Sequence, residues 1–154
     1  MSYQINGLKD INKILVNNRR ISGVVEVKTL RLRTGEVYHN AVIMNIDLIG
    51  SSIYSIGFMT EDQESIIINI SELSLLHEAV HKKIRELKNE AYKNIKTAEK
   101  IKFLKRLYEV NEGSCNPIFK EEAAAIIEDI GEEAAAKAVD TSIIFPKSNV
   151  YSIA

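Results

Sequence analysis

The stretch from residue 23 to residue 70 constrains the fold more than any other part of the chain. Apolar residues alternate with charged ones there, for example Val25 and Val27 around a glutamate. Such alternation is typical of a half-buried β-strand. Thr34-Gly35 and the polar run at 61–64 indicate tight turns. Short strands joined in this way predict a small closed or nearly closed β-barrel, whose closure would hide aggregation-prone strand edges.

Four strands are predicted in this stretch, and the third contains a glycine. The predicted strands cover residues 25–33, 37–46, 53–59 and 65–70. A glycine inside a strand often marks a bulge or a close approach of another group. Gly57 therefore predicts one of these two features in the third strand.

Two segments, RLRTGEVYHNAVIMNID and SIYSIGFMTEDQESIIINISEL, resemble small SH3-like or Sm-like barrels. Those barrels typically run strand, glycine turn, long strand, two further strands and a short turn near a Ser-Glu-aliphatic step. Ser71, Glu72 and Leu73 stand at that step here. The resemblance covers about residues 24–76, a third of the chain, and implies an SH3-like β-barrel.

The Sm-type RNA site is not part of this resemblance. Sm-like proteins place an asparagine a few residues after the aspartate of the second-strand region. After Asp47 this chain has Leu48, Ile49, Gly50 and Ser51, and no Arg-Gly pair follows the fourth strand. The resemblance therefore implies the barrel without implying RNA binding of the Sm type.

The rest of the chain is predicted to be helical. A short amphipathic helix is expected over Leu8–Val16. From Leu76 apolar residues recur at spacings of 4, 4 and 3, which is an 11-residue repeat and indicates one long, nearly straight helix. Gly113 is expected to end that helix.

A second helix is expected after this glycine. Asn116 can cap its first turn, and Pro117 suits its first position. The motif EEAAA occurs at 121–125 and again at 132–136, so the second helix also has an 11-residue echo. Gly131 is a weak point inside it, costing about 1 kcal/mol relative to alanine. Two helices with one period predict a helical hairpin.

These patterns together predict an α+β protein: a small SH3-like β-barrel followed by a long α-helical hairpin and an extended C-terminal tail. The expected divisions are an N-terminal helix within 1–20, the barrel at 21–76, the hairpin at 77–140 and the tail at 141–154. The apolar tail is either a last strand of the chain's own barrel or an arm that docks on a neighbouring subunit. The arm is favoured, and its residues are Ile143, Ile144, Phe145, Val150, Tyr151 and Ile153.

The most specific chemical motif is His77-Glu78-Ala79-Val80-His81, a literal H-E-x-x-H. On a helix, residues four apart share a face, so two imidazoles could hold one Zn²⁺ while the glutamate activates a water. The motif resembles that of zincin metallopeptidases, which implies His77 and His81 as metal ligands and Glu78 as catalytic base. Lys82 and Lys83 follow where zincins have uncharged and hydrophobic residues. Residues 74–77 are either helix or a fifth strand, and a strand ending at His77 would separate the two histidines and remove the zinc site.

Charge is distributed unevenly along a chain whose net charge is −1. Residues 77–112 contain 10 basic and 6 acidic residues, whereas residues 113–154 contain 3 basic and 7 acidic ones. The two segments either neutralise each other within one molecule or meet an external partner of opposite charge. A basic helix face is expected from Lys82, Arg85, Lys93, Lys96 and Lys100, which could contact the phosphates of a nucleic acid.

Several classes of protein find no support in the sequence. Cys115 is the only cysteine, so an internal disulfide is excluded. The longest uncharged run, residues 48–60, is too short to span a bilayer, and no signal peptide is visible. No phosphate-binding loop, dinucleotide motif or nucleophile elbow occurs. We therefore expect a cytoplasmic protein, or a virion protein assembled in the cytoplasm, without membrane contact.

The leading hypothesis is a non-enzymatic structural protein that forms a homo-oligomer and meets other assembly proteins. The opposite helix charges, the alanine clusters and the apolar tail favour it, with no cofactor expected. Head-to-tail contacts would favour rings, and phage head-to-tail connectors are one fold-level analogy. The alternatives are a small zinc metallopeptidase and a nucleic-acid-binding barrel that uses the basic helix face.

Overall fold

The computed structural model describes residues 3–17, 23–113 and 116–145. The chain divides into two compact units, residues 1–95 and 96–154. Its longer elements are α1 (Leu8–Val16), β1 (Val24–Leu32), β2 (Val37–Ile49), β3 (Ser52–Met59), β4 (Ser65–Asn69), β5 (Leu73–Lys82), α2 (Glu90–Val110), α3 (Pro117–Ile130) and α4 (Glu132–Ala136). Short 3₁₀ turns lie at Ile70–Glu72, Ile84–Glu86 and Thr141–Ile143. No helix in the described ranges is both long and apolar enough to cross a membrane.

The first unit is built on a five-stranded antiparallel sheet in the order β4-β3-β2-β1-β5. The four predicted strands and the N-terminal helix are confirmed. The fifth strand extends the sheet beyond the predicted boundary at residue 76. Within the described chain β4 and β5 end the sheet, which is compatible with a small barrel-like domain but is not closed.

The core of this unit lies between α1 and one face of the sheet. Ile11 and Ile14 of α1 join a buried cluster from the first three strands, whose largest fully buried side chain is Phe58. Each such side chain contributes about 1.5–3 kcal/mol through burial. The cluster comprises Ile11, Ile14, Val25, Val27, Leu30, Leu32, Ala41, Ile43, Ile56 and Phe58.

The core-facing residues of the long strands do not follow a simple two-residue period. In β1, Val25 and Val27 reach the core, and then Leu30 and Leu32 do, with a three-residue step between the pairs. Pairing places Lys28, in that step, between two residues with positive φ: Asn40 at 52° in β2 and Glu78 at 53° in β5. A left-handed residue turns a strand out of regular alternation. The neighbouring strands β2, β1 and β5 therefore change phase along one row.

The predicted start of the long helix was wrong, and the strand found there is irregular as well. Residues 73–82 form β5, and α2 begins only at Glu90. In β5 the side chains packed against the core are Leu73, Leu76 and Ala79. A register shift opposite Arg31 and Leu32 adds one residue to the first interval, and the left-handed Glu78 lies in the second. The predicted repeat joined Leu76 to Val80, but Leu76 packs against the core whereas Val80 is 44% exposed. Apolar residues on the two faces of a strand thus imitated a helical period.

The opposite face of the sheet carries a buried carboxylate. Glu26 is 2% exposed and accepts hydrogen bonds from the Lys82 ammonium at 2.6 Å and from the backbone N–H groups of Lys88 and Asn89 at 3.0 and 2.8 Å. Three donors and one opposite charge offset the cost of removing this carboxylate from water. They also fix segment 83–89 across the sheet, where Ile84 and Leu87 are buried.

Asn89 connects this segment to both the sheet and α2. Its side-chain amide donates to the carbonyl oxygens of Asn40 at 2.9 Å and Met59 at 3.1 Å. Its Oδ1 accepts from the backbone N–H of Tyr92 at 3.1 Å, which is the contact of a helix N-cap. One fully buried side chain therefore links the backbones of β2 and β3 to the first turn of α2.

The second unit buries the inner faces of its helices. Its described core includes Leu104, Phe119, Ala123, Ile127 and Ala135. The ring of Tyr108 contacts Phe119 edge-on at 5.3 Å, so α2 and α3 touch through these faces. The predicted hairpin is otherwise untested. The prediction of one unbroken second helix was wrong, because Gly131 adopts φ 96° and separates α3 from α4.

Replacement of Asn89 tests its double role. An N-cap accepts asparagine and aspartate almost equally, whereas an aspartate cannot donate to two carbonyl oxygens. We expect Asn89→Ala and Asn89→Asp each to lower the free energy of unfolding by about 2–4 kcal/mol in urea titrations. Asn94→Ala, at an exposed position of α2, is the control. If Asn89→Asp were as stable as the wild type, the two hydrogen bonds from the Asn89 amide would contribute nothing, and the residue would act only as a helix N-cap.

Asp140 provides a prediction about pH. Hydrogen bonds from the hydroxyl and backbone N–H of Ser142 lower the pKa of the Asp140 carboxyl. Stability from a lowered pKa is present above the pKa of the unfolded chain and is lost as pH falls through the folded value. Ser142→Ala removes one donor, so the pKa of Asp140 should move upward in an NMR titration. An unchanged pKa would show that the hydroxyl bond contributes nothing.

Candidate interaction site at the sheet edges

A groove of about 550 Å³ runs beside the open edge of β5, and its polar and apolar surface are nearly equal in area. One wall is the N-terminal segment with the start of α1, and the other is β5 together with the 3₁₀ turn before it. Most of the lining side chains are apolar, among them Ile5, Leu8, Ile70, Leu73, Leu75 and Ala79. The groove therefore combines apolar side chains with a strand edge whose backbone groups have no partner strand in the described chain.

Two local contacts position the N-terminal wall of this groove. The backbone N–H of Tyr3 donates to Nδ1 of His81 at 3.2 Å, and the two rings lie 5.4 Å apart. The N–H of Asn6 donates to Asp10 at 2.7 Å, just before α1 begins. Burial of Ile11 then fixes α1 on the sheet. The wall is thus held at both ends by contacts within the first unit.

The opposite edge of the sheet is the isoleucine-rich strand β4. Ile66 and Ile68 pack against the core, while Ile67 points outward and is 71% exposed. The sequence of β4, SIIIN, contains neither a charge nor a proline. Natural proteins commonly protect exposed sheet edges with such residues. An unprotected edge of this kind is suited to pairing with another strand.

Gly57 of β3 lies beside this edge strand and confirms the predicted close approach. It pairs with Ile67 on one side and Asn45 on the other. A Cβ atom at this position would collide with Oδ1 of Asn45. The register between β2 and β3 also shifts next to Asn45. The glycine therefore makes room for the asparagine amide on the outer face of the sheet.

The structure does not assemble the zinc site predicted from the H-E-x-x-H motif. His77 and His81 lie on β5 rather than on a helix, so roughly 13 Å of extended strand separates their backbones. His77 is exposed and lies 3.9 Å from Glu78, whereas His81 is buried with its Nδ1 accepting from Tyr3. In residues 3–17, 23–113 and 116–145 no group of three potential metal ligands comes together.

The predicted basic helix face is divided among several elements. Lys82 ends β5 and is largely buried against Glu26, and Arg85 lies in a 3₁₀ turn. Lys93, Lys96 and Lys100 alone lie on α2, where Lys96 forms an ion pair with Glu99 at 2.9 Å. A continuous five-residue basic stripe is therefore not formed.

The residues of the predicted arm are described only in part. Ile143 is 48% exposed and Phe145 is 39% exposed, at and just after a 3₁₀ turn, and Ile144 is partly buried. Val150, Tyr151 and Ile153 lie outside the described residues. Docking of the arm on a neighbour stays a prediction.

Sequence reasoning left open whether residues 74–77 form a helix or a fifth strand. It expected a closed or nearly closed barrel and therefore did not predict the two open edges of the sheet. Alternation also assigned Glu26 to solvent, although it is buried. One signal in the sequence was the three-residue step between the apolar residues Val27 and Leu30. A regular strand with one solvated face keeps a two-residue step throughout, so this step indicated an irregular strand.

Gly57→Ala tests the close approach in β3. We expect a loss of about 1 kcal/mol of unfolding free energy, because the new methyl group must displace the Asn45 amide. In the Asn45→Ala background the same change should be neutral or stabilising, since alanine restricts the unfolded chain. Urea titration of the double-mutant cycle measures the difference. Equal effects in both backgrounds would contradict the proposed collision.

Comparisons of the chain with protein-family models, with curated proteins and with solved structures found no match.

Proposed function

We propose that this protein is a non-enzymatic assembly subunit that forms a homo-oligomer through its sheet edges. In this proposal β4 of one copy pairs along β5 of the next and lays its side chains in the groove beside that strand. The observation that carries the proposal is the presence of two unpaired edges on one described sheet, one isoleucine-rich and one bordered by this groove.

Backbone pairing between two edges satisfies groups that are otherwise exposed, while side-chain pockets supply specificity. The outward-facing side chains add apolar area, since Ile67 is 71% exposed on β4 and Leu75 is 40% exposed on β5. Every copy of the chain carries both edges, so a second copy supplies the complementary edge without any other protein. Self-pairing is therefore the simplest way to cover both edges of the described sheet.

A contact between two different edges is heterologous. Such contacts generate a ring if the rotation between copies closes and an open filament if it does not. A ring agrees with the expected virion or connector role, which remains the more specific form of the proposal. An SH3-like arrangement of the strands is compatible with edge pairing as long as the barrel stays open, as it is in the described sheet. A docking arm from the C-terminal tail would add a contact to the assembly but is not needed for edge pairing.

Blocking each edge separately tests the proposal. Ile67→Lys places a charge on β4 and Leu75→Lys places one on β5, and both positions are exposed enough to leave the fold intact. Native mass spectrometry is carried out at about 500 mM salt, where charge-based contacts between copies are screened. The wild type should then show an oligomer, whereas each variant alone should be monomeric. An equimolar mixture retains one good β4 and one good β5, so it should form dimers and nothing larger.

Val37→Lys is the matched control, because Val37 is 39% exposed on a strand away from both edges. It should assemble as the wild type does. A variant that still dimerises alone at this high salt would indicate pairing between identical edges, which contradicts the heterologous contact. A monomeric wild type over the accessible concentration range would overturn the proposed function, and a stoichiometric metal in that monomer would redirect attention to His77 and His81.

A further inference from the structure

We propose that the second unit contains a separate, charge-based interface, in which the outward face of α2 from one copy binds the outward face of α3 from another copy. This inference concerns different residues from the sheet edges. It extends the assembly proposal from one interface to two.

The outward face of α2 carries an exposed aromatic side chain among cations. Phe103 is 52% exposed, although its neighbour Leu104 is completely buried. Lys102, Lys105 and Arg106 surround it and are exposed as well, and the exposed Glu99 and Glu109 lie at the two ends of this surface, so cations are in excess by one. A single exposed apolar side chain is ordinary on a protein surface, but a partner that covers Phe103 would gain the burial energy of a large ring in addition to the charge contacts.

The outward face of α3 has the opposite character. Ile118 is 65% exposed, and Glu121, Glu122 and Ala125 are exposed one and two turns further along. The two glutamates precede Ala125 by four and three residues, so they flank it on the helix surface. A small residue between acids leaves a gap into which a ring can pack while its neighbouring cations reach the carboxylates.

These two faces cannot meet within one molecule. The edge-on contact between Tyr108 and Phe119 shows that α2 and α3 touch through their inner faces. Phe103 and Ala125 point away from that contact and towards solvent. Lys102, Lys105, Arg106, Glu121 and Glu122 form no ion pair with any residue of the described chain. The complementary charges therefore fit a second copy of the same chain.

Charge complementarity distinguishes this interface from edge pairing. Exposed ion pairs weaken as salt shortens the screening length, whereas backbone pairing along the groove beside β5 changes little. Association through the helices should therefore decrease with ionic strength. Association through the sheet edges should not.

The test uses the full chain with both edges blocked by Ile67→Lys and Leu75→Lys. Sedimentation velocity should show self-association at low salt, about 50 mM, that is lost at about 500 mM. In that chain two variants should each be monomeric at low salt: Glu121→Lys with Glu122→Lys, and Lys102→Glu with Arg106→Glu. Their equimolar mixture should associate again, because each variant then supplies the face that the other has lost.

Glu132→Lys with Glu133→Lys is the matched control, since it makes the same charge change in the second EEAAA motif, on α4. It should associate as the edge-blocked parent does. Phe103→Ala keeps every charge and should weaken association as well. Circular dichroism checks that each variant is folded.

Three results would overturn the proposal: an edge-blocked parent that is monomeric at low salt, charge-reversed variants that associate normally, or a mixture that stays monomeric. None of these results depends on whether the wild-type sheet edges pair. Failure of the helical interface and failure of the edge interface are therefore distinguishable.

Discussion

The hydrogen bonds that the carboxylate of Glu26 accepts are the interaction on which the described first unit depends. The carboxylate is buried on the face of the sheet opposite the apolar core, and its donors come from the end of β5 and from segment 83–89. A buried carboxylate is tolerated only when its hydrogen bonds are complete, so sheet and segment must be placed together. The fold of β5 and the start of α2 are in this way coupled through one side chain.

Asn89 extends the same coupling. The backbone N–H of Asn89 binds Glu26, while its side chain joins the carbonyl groups of two strands to the first turn of α2. The helix therefore begins where the sheet supplies its cap, and not where the apolar repeat begins. This explains why an uninterrupted repeat from Leu76 onward contained both a strand and a helix.

Much of the fold was predictable because it depends on local patterns. Alternation of apolar and polar residues predicted the first four strands, and an amphipathic stripe predicted the helix Leu8–Val16. Asn116 caps α3 as expected, by accepting from the N–H of Ile118. The fifth strand was not predictable in this way, since its three-residue steps arise from left-handed and bulged residues that pairing imposes.

The candidate site was harder to foresee than the elements that form it. Which strands are edges follows from the strand order, which is a non-local property. The motif at 77–81 was evident in the sequence, yet its chemistry required a helix that segment does not form. Glu26 shows the same limit, because its burial depends on a segment more than 50 residues away.

The left-handed conformation of Glu78 has a consequence for the quality of self-recognition. It divides the open edge of β5 into residues 73–77 and 79–82, and neither part is longer than the five residues of β4. A cross-β template requires an uninterrupted, regular edge. In the proposed assembly this interruption would set a length limit: a strand as short as β4 fits one part of the edge, whereas a longer segment meets a break. The residue that would favour a matching copy would then also disfavour amyloid-like growth.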